Sequence, residues 1–334
     1  MTGDAEIRRK SNQTQEALMT VLATNLDKEF ESLIQYIEER NFLQVTEVIK
    51  QNLRYFNSSN TQVYKNSMNF NNEHKLWGIY DPQNNNYELA ENRAKALVEH
   101  RKDFEWIYHN LKDYRSKRIM VSILYYWLMS DPKKIEQIYD RTFDQYFDLD
   151  LVKCSKNEVF VDLGGYVGDT FINYTKVFGN DCYKKIYCYE IVPANIEYIK
   201  SNINILNLEN VEIKAKGASS KNDIMYISTN ELSSVSQLSD NGTHAVPIVR
   251  IDDDIEGEVT FIKMDIEGGE EDALLGCLGK IKEYHPKLAL SVYHNHKDLW
   301  KLAQIIYDTD QSYNFYLRYY GSPIFPTEFI LYAI

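Results

Sequence analysis

The sequence predicts an α/β fold: a mostly parallel β-sheet covered on both faces by helices, preceded by a separate helical region and closed by an antiparallel hairpin. Three observations carry it. From Glu158 onward, short apolar and β-branched runs alternate with helical patterns, as parallel strands joined by crossover helices require. The run VFVDL at 159–163 ends in three closely spaced glycines, Gly164, Gly165 and Gly168. The last two apolar runs, around 313–321 and 328–334, have no helical pattern between them and read as a hairpin at the sheet edge.

A chain of 334 residues can bury a sizeable core and divide into two domains. Its net charge of -12 argues against a phosphate-backbone partner, which needs clustered Lys and Arg. Four cysteines, at 154, 182, 188 and 277, show neither metal-site spacing nor the density of a secreted scaffold. No apolar run approaches the roughly 18 residues of a membrane span, and the opening MTGDAEIRRKSNQTQE has no signal core. The expected setting is the cytoplasm, with no membrane insertion and no nucleic acid bound.

Residues 1–150 form the expected helical cap or docking domain. Leu18, Val21, Leu22, Leu26, Phe30, Leu33, Ile34 and Ile37 recur at helical spacing. A second helix is expected over 42–55, then an Asn-rich loop over 56–88 that includes Pro82. Helices follow over 89–112, 115–129 and 132–146, the last opened by Asp131 and Pro132. The basic clusters Arg8 to Lys10 and Lys117 to Arg118 are too small for a nucleic-acid face.

Residues 151–334 form the expected catalytic domain. Strands are predicted over 159–163, 186–190, 211–215, 246–250, 259–264 and 287–293, and helices over 169–178, 193–206, 268–280 and 296–307. The glycines allow a tight turn beside a ligand, and a helix starting near Asp169 points free amides at it. Glu190 ends the second strand about 20 residues further on, where a carboxylate can bind a ribose diol. Together these mark a nucleotide-type cofactor site; alternatively, Glu190 caps Asn195 in an ordinary α/β domain.

Five segments resemble the FkbM-type S-adenosylmethionine-dependent methyltransferases: FVDLGGYVGDTF, YEIVPANIEYIKSNI, FIKMDIEGGEEDALLG, LALSVYH, and the closing YLRYYG with FILYAI. The resemblance covers roughly residues 141–334, and KMDIEGGE is its most specific element. It implies a class I methyltransferase fold in which Asp162 and the glycine turn approach the methionine part of S-adenosylmethionine and Glu190 binds its ribose. Asp265 is expected beside the cofactor as well. The implied reaction is O-methylation of a hydroxyl on a sugar, glycan or related small molecule. Gly165 and Gly269 stand where the family frequently has alanine.

A sugar hydroxyl is a weak nucleophile and needs a proton acceptor or a metal. Neutral His294, at the end of the LALSVY strand, is the first candidate base, then Asp265, then Glu267. A divalent ion held by Asp265, Glu267, His294 and His296 is the rival, although a turn between Asp265 and Glu267 keeps periodicity from placing both on one ion. Tyr166, Tyr293, His296 and Arg318 are the candidate acceptor-binding residues, Arg318 for an acidic group or paired with the DDDIEGE segment. An NAD-type oxidoreductase and a noncatalytic nucleotide-binding module are the alternative functions. The acceptor and the oligomeric state, including a homo-oligomer, stay open.

Overall fold

The computed structural model describes residues 24–59, 61–74, 76–227, 244–321 and 326–334. Seven strands form the main sheet: β1 (Val159–Leu163), β2 (Lys185–Tyr189), β3 (Val211–Lys214), β7 (Phe261–Met264), β8 (Lys287–Ser291), β9 (Phe315–Tyr319) and β10 (Phe329–Ala333). Their order is β3-β2-β1-β7-β8-β10-β9. All pairs from β3 to β8 are parallel, whereas β10 is antiparallel to both β8 and β9. The predicted closing hairpin is therefore present, and its second strand lies inside the first.

The edge strand β9 does not face water. Lys112 N–H donates to Phe315 O at 3.0 Å, Asp140 N–H donates to Tyr319 O at 2.8 Å, and Leu317 N–H donates to Ser116 Oγ at 2.8 Å. Helical-region backbone and side chains thus cover a row of groups that would otherwise invite pairing with another chain.

The predicted strand near 246–250 is real but belongs elsewhere. His244–Val249 (β6) pairs with β4 (Gly217–Ala218) and with β5 (Asp223–Ile227) in a three-stranded sheet of order β4-β6-β5. The strand pattern at β5 is weak because Ile224 and Tyr226 are exposed rather than buried. The helices Asp169–Phe178 and Pro193–Leu206 match expectation, and 268–280 divides into Glu270–Leu275 and Leu278–Tyr284.

The helical region opens, within the described residues, with Asn25–Glu38. Thr24 caps it by accepting from Asp27 N–H, while the Asp27 carboxylate accepts from Thr24 N–H. Its buried face is Leu26, Phe30, Leu33, Ile34 and Ile37; Leu18, Val21, Leu22 and the cluster from Arg8 to Lys10 lie outside the described residues.

The expected Asn-rich loop is overturned over its first part and present from residue 76 to 87. Phe42–Ser59 and Thr61–His74 are helices, the second burying Tyr64, Met68 and Asn71 at helical spacing. Asn71 and Asn72 bracket tertiary structure, whereas Asn84 to Asn86 make a turn after Pro82, Asn85 with a left-handed φ of 54°. Asn71 Nδ2 donates to Gly78 O at 3.1 Å, and Asn72 exchanges two hydrogen bonds with the Tyr80 backbone at 3.0 and 2.9 Å. The helix expected over 89–112 breaks at His100 into Glu88–Glu99 and Arg101–Asn110.

Tyr114–Met129 agrees with expectation, but the helix over 132–146 shrinks to Lys133–Glu136. Beyond it, aspartates satisfy local backbone donors, as Asp140 does for Thr142 N–H, and Tyr146 takes a left-handed φ of 68°. Neither feature suits a helix interior.

One hydrophobic cluster runs from the helical region into one face of the sheet, joining Leu97, Phe104 and Trp127 to Met264, Leu290 and Trp300. The opposite face packs Phe147, Phe160, Tyr174 and Phe261. No helix among the described residues is long and apolar enough to cross a membrane.

Candidate functional site

Two cavities meet at the carboxyl ends of β1 and β7. The first, about 390 Å³, lies along the glycine turn and is lined by Gly164, Tyr166, Glu190, Gly217, Asp265 and Glu267, among others. The second, about 380 Å³, reaches toward the helical region and is lined by Phe70, Leu76, Tyr146, Tyr293 and Glu328. Gly164, Tyr166, Asp265 and Glu267 border both.

The first cavity is shaped mainly by backbone. Gly164 and Gly165 N–H both donate to Tyr189 O, at 3.1 and 2.9 Å, which draws the turn onto β2. Gly164 has φ of 85°, and a Cβ there would lie 1.9 Å from Asp265 O. No side chain fits at that approach. Gly165 and Gly168 shape the turn from behind: a Cβ on Gly165 would meet Cys188 Sγ at 2.3 Å, and Gly168, with φ of 87°, starts the following helix.

Asp162 lines neither cavity. It is fully buried beneath the turn and paired with Lys263 Nζ at 3.0 Å, with burial pushing its carboxyl up to about 6. Lys263 also donates to Gly164 O at 2.7 Å, so this pair holds the turn rather than presenting a carboxylate to a ligand. Sequence reasoning missed Lys263, although a lysine inside the apolar run FIKM was a signal for a buried ionic partner. Glu190 does line the cavity, and its Oε1 accepts from Ile191 and Val192 N–H, both at 2.7 Å. The same carboxylate therefore fixes its own turn; burial raises its pKa above the ordinary value.

Side chains from distant segments dominate the second cavity. Tyr146 OH donates to Asp265 Oδ2 at 2.6 Å, and Tyr293 OH donates to Asp265 Oδ1 at 3.1 Å. Gln145 donates to Glu328 at 2.5 Å. Burial pushes Glu328 up to about 7, and Asp265 adds to the effect. Tyr146, Tyr166, Glu267 and Glu328 all have left-handed backbones, with φ of 68°, 44°, 59° and 64°. Strained backbone of this kind persists where surrounding structure over-determines it, and it gathers at functional sites.

His294, the first candidate base, stands behind the two cavities. His294 borders neither cavity, and its Nδ1 lies 2.9 Å from Glu270 Oε1. Burial opposes its charge, yet Glu270, then Asp265 and Glu267, outweigh burial and push the imidazole up to about 10. Asp265 and Glu267 stay at the junction, Glu267 pushed up to about 7 by burial against the pull of His294.

The acceptor-binding candidates divide. Tyr166 and Tyr293 border the second cavity, but His296 and Arg318 do not. His296 is buried beside Trp77 and Trp127, and burial with nearby Arg93 lowers it to about 3. Arg318 lies on β9, held by Asp148 at 2.5 Å and Asp113 at 2.8 Å, so it joins helical region to sheet and is not bonded to the DDDIEGE segment. Sequence reasoning missed Phe70, Leu76, Gln145, Tyr146 and Glu328, which carry no local motif.

Residues 162–319 match the family model of the methyltransferase FkbM domain. A crystal structure of methyltransferase FkbM from Methylobacillus flagellatus KT is similar at TM-score 0.63 and 24% identity, over 72% of this chain and 62% of that one. An rRNA methylase from Streptococcus thermophilus aligns at TM-score 0.37 and 14% identity, over 54% of this chain and 87% of the methylase. A SAM-dependent methyltransferase from Aquifex aeolicus aligns at 0.34 and 17%, over 61% and 97%. No curated protein matches the chain.

Proposed function

We propose, from the match of residues 162–319 to the methyltransferase FkbM domain, that this chain transfers a methyl group from S-adenosylmethionine to a hydroxyl oxygen of a sugar, glycan or related small molecule. The observation that carries this reading is the meeting of two cavities at Asp265, one shaped by the glycine turn and Glu190, the other enclosed by polar side chains. The domain match sets aside the NAD-type oxidoreductase reading.

The first cavity suits the cofactor: the close backbone approach at Gly164 leaves room that any Cβ would remove, and Glu190 offers a carboxylate for a ribose diol. S-adenosylmethionine supplies, when bound, an electrophilic methyl group on a sulfonium. The chain's own residues must then hold an acceptor oxygen in line and exclude competing water. Asp265 is the proposed hydrogen-bond acceptor for the substrate hydroxyl, oriented by the phenols of Tyr146 and Tyr293. Tyr166 contributes acceptor contact. Phe70 and Leu76 give an apolar wall suited to a sugar face.

In this reading the helical region is a cap, since it supplies Phe70, Leu76, Gln145 and Tyr146 to the acceptor side. The test is incubation of a glycan and small-molecule extract with S-adenosylmethionine bearing a labelled methyl group, followed by mass spectrometry. Label in a base-stable ether of a hydroxyl supports the reading. Label on nitrogen or carbon, or none despite normal S-adenosylhomocysteine affinity, overturns it.

A further inference from the structure

Glu267 has a left-handed φ of 59°, and its carboxylate lies near the same imidazole as that of Asp265, across a turn that strand periodicity could not bridge. Both carboxylates converge on one nitrogen. His294 Nε2 lies 3.5 Å from Asp265 Oδ1 and 3.6 Å from Glu267 Oε2. Those separations are too long for good hydrogen bonds. Two ligand atoms bound tetrahedrally at about 2.1 Å to one ion sit about 3.4 Å apart, close to these two nitrogen–oxygen separations, and ligand atoms of Asp265, Glu270 and His294 all lie within 4.8 Å of one another.

The imidazole is only 6% exposed, and Nε2 has no hydrogen-bond partner among the described residues. Nδ1 makes no hydrogen bond of good geometry either, but it has the closer charged neighbour. Glu270 Oε1 lies 2.9 Å from Nδ1 and is itself fixed by Ile266 N–H at 2.8 Å. A carboxylate on one imidazole nitrogen, with the other facing a ligand cluster, is the usual outer support of a metal-bound histidine.

We propose that Asp265, Glu267 and His294 Nε2 bind one divalent cation of the nitrogen- and oxygen-seeking class, such as Mn²⁺ or Zn²⁺, and that Glu270 orients the imidazole from outside the coordination shell. The cation displaces any proton on Nε2 as it binds. Because Asp265 and Glu267 border both cavities, remaining coordination positions open toward the acceptor. A substrate hydroxyl reaching the ion becomes more acidic and loses its proton to Asp265 or solvent as its oxygen bonds to the methyl carbon and the methyl–sulfur bond breaks, its electron pair leaving with S-adenosylhomocysteine. This role rests on the methyl-transfer reading, whereas the binding site itself does not.

The test uses the full chain, stripped with chelator and titrated with MnCl₂ alone while free Mn²⁺ is followed by electron paramagnetic resonance. One saturable Mn²⁺ per chain is expected. His294→Gln and Asp265→Asn should each weaken it at least tenfold, and Glu270→Gln by about 10- to 100-fold. His285→Gln, in a second histidine–carboxylate pair that lines neither cavity, should leave affinity unchanged.

Spin-echo modulation on the unsubstituted Mn²⁺ protein should show imidazole nitrogen coupling, a readout that no variant's folding can affect. Absence of saturable binding at millimolar Mn²⁺, absence of nitrogen coupling, or survival of binding in both ligand variants overturns the site. Nitrogen-coupled Mn²⁺ in a protein that transfers no methyl group would retain the site and overturn the methyl-transfer reading instead.

Discussion

The two cavities that share Asp265 are built differently. The cofactor side comes from strand ends close along the sheet, and backbone does much of the shaping at Gly164, Glu190 and Gly217. The acceptor side gathers side chains from Phe70, Leu76, Gln145, Tyr146, Lys263, Asp265, Glu267, Tyr293, Thr327 and Glu328. Of nine non-glycine residues with positive φ among those described, Tyr146, Tyr166, Glu267 and Glu328 border the acceptor cavity, while Ser130, Asn207 and His285 only end helices. Strain therefore concentrates where side chains must be aimed. The difference separates a general device for holding a cofactor from a changeable surface that selects an acceptor.

The sharpest way to break the cofactor side is Gly164→Val. Its branched side chain must displace Asp265 backbone and also adopt a left-handed φ. S-adenosylhomocysteine affinity by calorimetry should fall at least about 100-fold, a loss of several kcal/mol. Affinity within threefold of the parent would mean that the cavity beside this turn is not the cofactor's.

Asp265→Asn targets the shared border. The amide keeps the size but lacks the charge, so methyl transfer to an identified acceptor should fall by about 10² to 10⁴-fold, the scale of losing a positioned proton acceptor. Cofactor affinity should change only a few-fold. A rate close to the parent's would remove Asp265 from the chemistry.

Glu190→Ala acts on the cofactor side alone and should weaken S-adenosylhomocysteine binding by about 1–3 kcal/mol, for lost hydrogen bonds to a charged group. Part of that loss is indirect, because Glu190 also holds Ile191 and Val192 N–H. Calorimetry alongside a thermal melt separates the contributions. Unchanged affinity would exclude the ribose role.

The same contrast explains what could be read from the chain. The glycine turn, Glu190 and the flanking helices were legible because short-range pattern decides them. Asp162 was legible as an acidic strand residue, but its buried partner Lys263 decided which way it works. The acceptor wall was hidden because Asn-rich composition signals turns, whereas Asn71 and Asn72 stitch a helix to residues 78–80. Tyr146 lay within an expected helix and gave no sign of reaching Asp265 across 119 positions. Trp77 Nε1 donating to Tyr293 O at 2.7 Å ties the two regions in the same way. Because they also share one apolar cluster, removing 1–150 would uncover the sheet, and point changes at Phe70 or Leu76 test the cap more cleanly.

The smallest predicted effect probes the joint behind the acceptor side. Asp113 caps the helix Tyr114–Met129 through Ser116 N–H and also binds Arg318 on β9. Burial raises its carboxyl pKa, but Arg318 and Ser116 outweigh burial and hold it below the ordinary 3.8. A folded value below the unfolded one means that the stabilisation is present above about pH 3.8 and is lost as pH falls through the folded value. Asparagine still caps a helix, so Asp113→Asn removes chiefly the charge. Denaturant melts at pH 7 should show a loss of about 1 kcal/mol, the scale of a partly exposed ion pair. The gap between variant and parent should close in melts near pH 2 to 3. A gap that persists undiminished in acid would show that the Arg318 charge pair does not hold the helical region to β9.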